Sequence, residues 1–452
     1  MIKSIKVKNF KSFKKSGQID IKKINILVGP NSSGKSSFIQ GLLLLKNAIQ
    51  CKMEDPTLGI DGESITYKAL VYDNDVDNKI QYKIGFDESE QKTESIEVNI
   101  LKDFLENIDE SDIIKIAEKY REIKIKDMSF TLKIVDDITL SIDAFEVNTT
   151  DDINVKVSKD KENYTLKLND NIIDNIEAIY PCKFYFKIKK EKLHELSNSS
   201  LENIILVYYI LDKLEQNLNR LGEKFLYLES LRSDFHRIEY VSNERKTRTV
   251  GSRGQDTLLT LLDIDRKCDV DIEIKEKKEN INYWLDEFEL GDNIEAREVD
   301  EDKYSIMIRN KHLGIYNNIL DVGIGTAQLL PIIIESVNSQ KESIVIIEEP
   351  ETHIHPNAQA KLADLFVDCA KKDNKKFLIE THSIFLVTQL QILVASGKIS
   401  PDDIGIYYFT QDQDGTKIMK MEIAENGQFE EDWPSGFFDV HYELGRKLFE
   451  FM

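Results

Sequence analysis

Four short clusters in this 452-residue sequence have the residue types and spacing to do chemistry. The first is Gly29-Pro30-Asn31-Ser32-Ser33-Gly34-Lys35-Ser36, a G-x-x-x-x-G-K-S run. It follows the apolar stretch Ile24–Val28 and precedes helix-forming sequence. Glycine at 29 and 34 permits backbone angles that other residues resist, so successive N–H groups can turn inward around phosphate oxygens. A helix starting near Lys35 adds its positive dipole end. Lys35 can reach the β- and γ-phosphates, and the Ser36 hydroxyl can bind Mg²⁺. Gly29, Asn31, Ser32, Ser33, Gly34, Lys35, Ser36 and Ser37 are therefore the nucleotide-binding candidates. The expected ligand is a nucleoside triphosphate with Mg²⁺.

The second cluster is Ile344-Val345-Ile346-Ile347-Glu348-Glu349-Pro350, an apolar strand ending in two carboxylates. In phosphate-loop enzymes the strand beside the loop carries an acid that holds Mg²⁺, and a second acid can activate the attacking water. Glu348 is expected on the metal and Glu349 on the water. The third, Glu380-Thr381-His382-Ser383, ends another apolar strand and places His382 to sense the γ-phosphate or orient the water. The fourth, Asp321–Gln328, sets Gly323, Gly325 and Thr326 before an apolar helix, a second anion-binding helix start. One chain already has a loop for its phosphates, so this segment makes sense as a cap on nucleotide held by another subunit. His353, His355 and Glu351 have spacing reminiscent of a zinc site, yet no further ligand is evident, and a loop packed at a subunit contact is the favoured reading.

These clusters require a specific frame. Residues 1–60 and 304–452 read as α/β sequence, with short apolar strands between helices. Residues 61–222 read as alternating strands with a wet face, plus helix. Residues 223–303 form a connecting segment. The loop and the carboxylate strand lie more than 300 residues apart but must be adjacent. The expectation is one nucleotide-binding head built from both chain ends, with the middle inserted. Lys and Arg total 60 against 81 Asp and Glu, a net charge of −21 that repels nucleic acid and anionic membrane. A local exception is the arginine-rich stretch Arg232–Arg253, with Arg237, Arg245, Lys246 and Arg248. It reads as a phosphate-facing or partner-facing element. The four scattered cysteines and the missing leader point to a reducing cytoplasm. No apolar run approaches the ~20 residues that cross a bilayer.

Taken together, Gly29–Ser36, Gly323–Gln328, Ile344–Pro356 and Glu380–Ser383 resemble the ABC-type ATPases of the RecF/SMC branch, and most of all their short OLD-like relatives. The opening Val7–Phe13 and the tail Asp432–Asp439 extend the likeness. The resemblance implies an α/β ABC-type P-loop ATPase head with ATP and Mg²⁺ as ligands. It implies that Gly323–Thr326 is the signature segment, Thr352–His355 the D-loop and His382 the switch histidine. Nucleotide is then sandwiched in a head-to-tail homodimer or larger homo-oligomer. The family further implies control of a separate effector, a nuclease or toxin, in anti-phage defence; the alternative is RecF-like DNA maintenance through Arg232–Arg253. A transporter subunit is disfavoured by the β-rich insertion. Asp412-Gln413-Asp414 has the spacing of a TOPRIM nuclease pair but reads as a hairpin turn. Gln40, Gln81 and Gln91 are available for a glutamine lid, none of them compelling.

Overall fold

The structure, a computed structural model, describes residues 2–50, 59–60, 63–91, 110–134, 140–160, 163–175, 179–182, 185–188, 201–232, 235–241, 249–434, 436–439, 444, 446, 447 and 450. Residues 92–109 of the inserted region, most of the stretch from Val440 onward, and Arg245, Lys246 and Arg248 of the arginine-rich stretch lie outside the described residues. The principal strands in chain order are β1 (Ile2–Phe10), β2 (Phe13–Asp20), β3 (Ile24–Val28), β4 (Ile80–Phe86), β5 (Ile125–Ile134), β6 (Leu140–Thr149), β7 (Asn154–Asp160), β8 (Asn163–Leu168), β9 (Asn171–Asn175), β10 (Phe225–Leu228), β11 (Ile344–Glu348), β12 (Lys376–Glu380), β13 (Ile404–Asp412) and β14 (Gly415–Met421). The helices used below are α1 (Lys35–Gln50), α2 (Leu201–Lys224), α3 (Ile324–Asn338), α4 (Pro356–Asp373) and α5 (Ile384–Ala395).

The chain divides into two compact units. Unit 1 comprises Met1–Ile21, Ser36–Glu223 and Thr410–Ile418. Its eight-stranded sheet runs β9-β8-β7-β6-β5-β4-β1-β2, every neighbouring pair antiparallel. Alternation along β4, β5 and β6 buries Ile80, Tyr82, Ile84, Met128, Phe130, Leu132, Phe145 and Val147 on one face. The opposite face is polar, as expected of an antiparallel sheet with one wet side. Helix α1 is buried nearly all round, through Phe38, Ile39 and Leu42–Leu45. It packs so close that a Cβ on Gly41 would lie 3.3 Å from the Phe10 ring.

Unit 2 comprises Lys22–Lys35, Lys224–Phe409 and Met419–Met452. Its sheet has the order β10-β11-β12-β3-β13-β14, and the pairs from β10 to β13 are all parallel. Parallel strands covered on both faces read as continuous apolar runs, which is why Ile24–Val28, Ile344–Ile347 and Phe377–Ile379 are fully buried. The expectation that this sheet draws on both ends of the chain holds. The expectation that Glu348's strand lies beside the loop strand does not. β12 occupies that position, and β11 lies one strand further out.

Asn25, in the middle of β3, is fully buried. Its amide donates to the Lys22 carbonyl at 2.7 Å and the Phe377 carbonyl at 3.0 Å, and its oxygen accepts the Lys22 N–H at 2.8 Å. One side chain thus closes the start of β3 and pins it to β12. Replacing it leaves those backbone groups buried and unpaired. Asn25→Leu is expected to cost about 1–3 kcal/mol, read by urea unfolding of nucleotide-free protein.

Candidate functional site

The site lies at the C-terminal ends of β3, β11 and β12, where open parallel sheets bind ligands. The loop after β3 departs from ordinary backbone at Gly29 (φ 147°), Ser32 (φ 60°) and Gly34 (φ 106°). Gly29 is also sterically required, since a Cβ there would fall 2.3 Å from the Phe409 carbonyl oxygen. Such a run of positive φ turns N–H groups into a concave anion cradle. Asn31 and Ser32 are exposed on it, while Ser33 and Gly34 are buried. Ser36 and Ser37 follow in the first turn of α1.

Lys35 is 3% exposed. Its ammonium donates to the Gly29 carbonyl at 3.1 Å and the Pro30 carbonyl at 3.0 Å, and lies 3.7 Å from Glu380 Oε1. Burial lowers its pKa, and Glu380 is the strongest influence opposing that shift. The lysine is therefore held inside its own loop by weak carbonyl partners that a phosphate can outcompete. Glu380 is a partner that sequence reasoning missed. It ends β12 in register with both Leu27 of β3 and Glu348 of β11, and it is 4% exposed. The signal was available: two apolar strands each ending in glutamate.

Glu348 is half-buried at the end of β11. Its carboxyl is pushed up to about 7, first by burial and then by the charge of Glu380, with Glu229 and Glu349 adding and a hydrogen bond from Tyr227 opposing. Glu349 adopts a left-handed backbone, φ 42°, and its N–H donates to the Glu380 carbonyl at 2.8 Å. Backbone strain of this kind persists only where surrounding contacts enforce it. Here the enforcing contact is Arg232. That side chain is fully buried, with Nη1 donating to the Glu348 carbonyl at 2.7 Å and to the Glu229 carbonyl at 2.5 Å. Nη2 donates to the Glu349 carbonyl at 3.1 Å, and Nε to the Gln328 carbonyl at 3.3 Å. Desolvation lowers its pKa to about 10, against the pull of Glu351, Glu349 and Glu348. Arg232 is thus corrected from a surface element of the basic stretch to a structural clamp. Arg237 is exposed and paired with Asp321 at 2.5 Å, and Arg253 is exposed and paired with Glu229 at 2.9 Å.

The turn after β11 returns to the third strand. Glu351 accepts the His382 N–H at 2.5 Å and the Thr381 hydroxyl at 2.8 Å. His382 itself is exposed at the tip of β12. Partial desolvation lowers its pKa, as does the charge of Lys35, while Glu349 opposes. His355 caps α4, with Nδ1 accepting the Asn357 N–H at 3.3 Å. Gly323 caps α3 and is exposed, and Thr326 is buried with its N–H on the Gly323 carbonyl. A Cβ on Gly325 would lie 2.9 Å from the His353 carbonyl, so this segment is seated on the 353–354 turn. Of the expected site residues, the structure brings together Lys35, Glu348, Glu349 and His382, and joins Gly325 to the turn that follows them. Among the candidate glutamines, Gln91 is committed: its amide both accepts from and donates to the Ile125 backbone.

Among the described residues no cluster of three or more His, Cys, Asp or Glu is arranged to hold a metal by itself. The donor set fits Mg²⁺ held jointly with phosphates, since that ion keeps waters and takes one or two protein ligands. Glu348 and Ser36 are the protein candidates, and the bound ion would neutralise charge on the β- and γ-phosphates.

Comparison with known proteins adds the following. Residues 1–387 match the family described as AAA ATPase domain, and residues 399–441 match one described as a protein of unknown function (DUF3696). No curated protein matches. Among solved structures, an SMC head bound to the C-winged helix domain of ScpA is 12% identical over 94% of this chain and 98% of that chain, with a TM-score of 0.43. The SMC head domain from Thermotoga maritima is 12% identical over 93% and 99%, at 0.38. An SMC head with an extended coiled coil, bound to a ScpA domain derived from Pyrococcus furiosus, is 12% identical over 99% and 98%, at 0.39.

Two outcomes follow from the site. Arg232→Met leaves four backbone carbonyls without their donor and should cost at least about 3 kcal/mol in urea unfolding. Glu348 carries a folded-state pKa of about 7 against an ordinary 4.5. Its contribution to stability is thus complete below pH 4.5 and is lost as pH rises through about 7. Measured without nucleotide and in EDTA, Glu348→Gln should gain stability over the parent across that window and then level off.

Proposed function

Because this chain belongs to the AAA ATPase domain family, we propose that it binds and hydrolyses ATP in a site shared between two copies, and that this cycle controls a separate effector protein. The observation that carries the reading is buried Lys35, parked on the Gly29 and Pro30 carbonyls beside Glu380 at the ends of adjacent strands.

In this reading the N–H groups from Gly29 to Ser37 wrap the phosphates, and Lys35 leaves its carbonyl partners for the β- and γ-oxygens. Glu348 and Ser36 hold the Mg²⁺ that accompanies the nucleotide. Glu349 accepts a proton from the attacking water, and its strained backbone, fixed by Arg232, aims the carboxylate. His382 reads the γ-phosphate and reports through Glu351, which grips its N–H. Gly323, Gly325 and Thr326 of a second copy cap the phosphates from outside. Their exposed helix start on α3 supports this assignment.

The domain reading is a head formed from residues 1–60 and 304–452, with 61–222 inserted and 223–303 connecting. The effector, a nuclease or toxin in an anti-phage system, follows from the likeness to short OLD-like ATPases. The Asp412–Asp414 pair fits a hairpin turn, with Asp412 Oδ1 accepting the Asp414 N–H at 2.8 Å. Among the described residues of the arginine stretch nothing favours the DNA-maintenance reading, since Arg232 is buried and Arg237 and Arg253 are paired. Among the described residues no helix is long and apolar enough to cross a membrane.

Lys35→Ala should abolish ATP binding, measured with a fluorescent analogue, and hydrolysis with it. Glu349→Gln should retain binding, lose roughly 100-fold or more in turnover, and accumulate as an ATP-dependent dimer on size exclusion. Retained hydrolysis in the first variant removes the site assignment, and a monomeric second variant removes the sandwich.

A further inference from the structure

The wet face of the eight-stranded sheet carries a charge pattern that fold stability does not favour. Lys8 lies directly opposite Lys15 across β1 and β2, and Lys6 lies directly opposite Lys83 across β1 and β4. A third pair, Lys156 and Lys167, faces across β7 and β8. The register joins the second and third of these pairs into one row: Lys6, Lys83, Ser129, Glu146, Lys156, Lys167. Directly opposed residues share a face with their Cβ atoms only ~5 Å apart, and like charges there are destabilising. Lys6, Lys8, Lys15, Lys83 and Lys156 line a groove of about 440 Å³. Among the described residues, Lys83 pairs with Asp127 at 3.1 Å, whereas Lys6, Lys8, Lys15, Lys156 and Lys167 have no carboxylate within 4.0 Å. In a chain with 81 acidic residues this is a local reversal of sign.

We propose that this face docks an acidic segment of a partner protein. An anion laid along the row relieves the two repulsive pairs within it at once, so binding recovers what the isolated sheet loses. The face suits a protein better than a nucleic acid. It offers lysine point charges and no arginine fork, and the aromatic rings beneath the groove, Tyr82, Phe130 and Phe145, are buried and give bases nothing to stack on. Carboxylates also sit within the pattern. Glu146 is held by Asn154 at 2.7 Å, and Asp127 by Asn148 at 2.9 Å. A uniformly charged phosphate backbone would meet them as repulsion, whereas a protein segment of mixed charge can pair with them.

None of these lysines belongs to the nucleotide site, so the test separates the two. The probe is a fluorescein-labelled acidic peptide with lysines interspersed among its glutamates, read by anisotropy on the full chain, with duplex DNA as competitor. Binding should weaken as salt rises, and Lys6→Glu with Lys15→Glu should weaken it about tenfold. That double variant turns two repulsive pairs into ion pairs, so its melting temperature should hold or rise and its basal ATP hydrolysis should match the parent. Lys267→Glu with Lys311→Glu changes net charge equally on the other unit and should leave peptide binding intact. The proposal is overturned if the peptide does not bind, if the two double variants behave alike, or if duplex DNA displaces the peptide at matched salt.

Discussion

A single buried guanidinium fixes the geometry of the carboxylate-bearing strand end. Arg232 satisfies carbonyls from Glu229, Gln328, Glu348 and Glu349. These belong to three separate stretches of chain. Burying a cation is costly unless its donors are filled, so the clamp works only when all three are in place. It makes the left-handed turn at Glu349 affordable to the fold. It also supplies positive charge beside Glu348, Glu349 and Glu351, the groups whose mutual repulsion would otherwise push this region apart.

The remaining electrostatics follow from crowding. Glu348, Glu349, Glu351 and Glu380 converge on two buried cations, Lys35 and Arg232. Burial dominates the shifts, raising Glu348 and Glu351 and lowering Lys35. A site poised this way can take up a divalent cation together with a polyanion. The cation answers the carboxylates, and the polyanion answers Lys35 and the loop amides.

How much of this could be read in one dimension depends on the range of each interaction. The loop from Gly29 to Ser36 was legible because its chemistry is local: glycines, lysine and hydroxyl within eight positions. The strand ends were legible as apolar runs broken by carboxylates. Strand order was not, because nothing in Ile344–Glu348 or Lys376–Glu380 says which one pairs with β3. That ambiguity hid Glu380, which neighbours the lysine. Arg232 was misread for a related reason. Its segment is rich in arginine and interleaved with acids, which on composition is a surface. The carbonyls that accept from its guanidinium lie about 100 or more residues away, except that of Glu229. His355 reads as part of a loop at a subunit contact; that its ring nitrogen caps α4 shows only in the fold.

The division of the chain has a mechanical meaning. The polypeptide passes between the two units after Ile21, Lys35, Glu223, Phe409 and Ile418. Two of these passages bracket the segment Lys22–Lys35, which consists of β3 and the phosphate loop and little else. Both ends of the phosphate-loop segment are therefore spliced directly into the other unit, through β2 on one side and α1 on the other. Covalent paths therefore leave the loop in both directions.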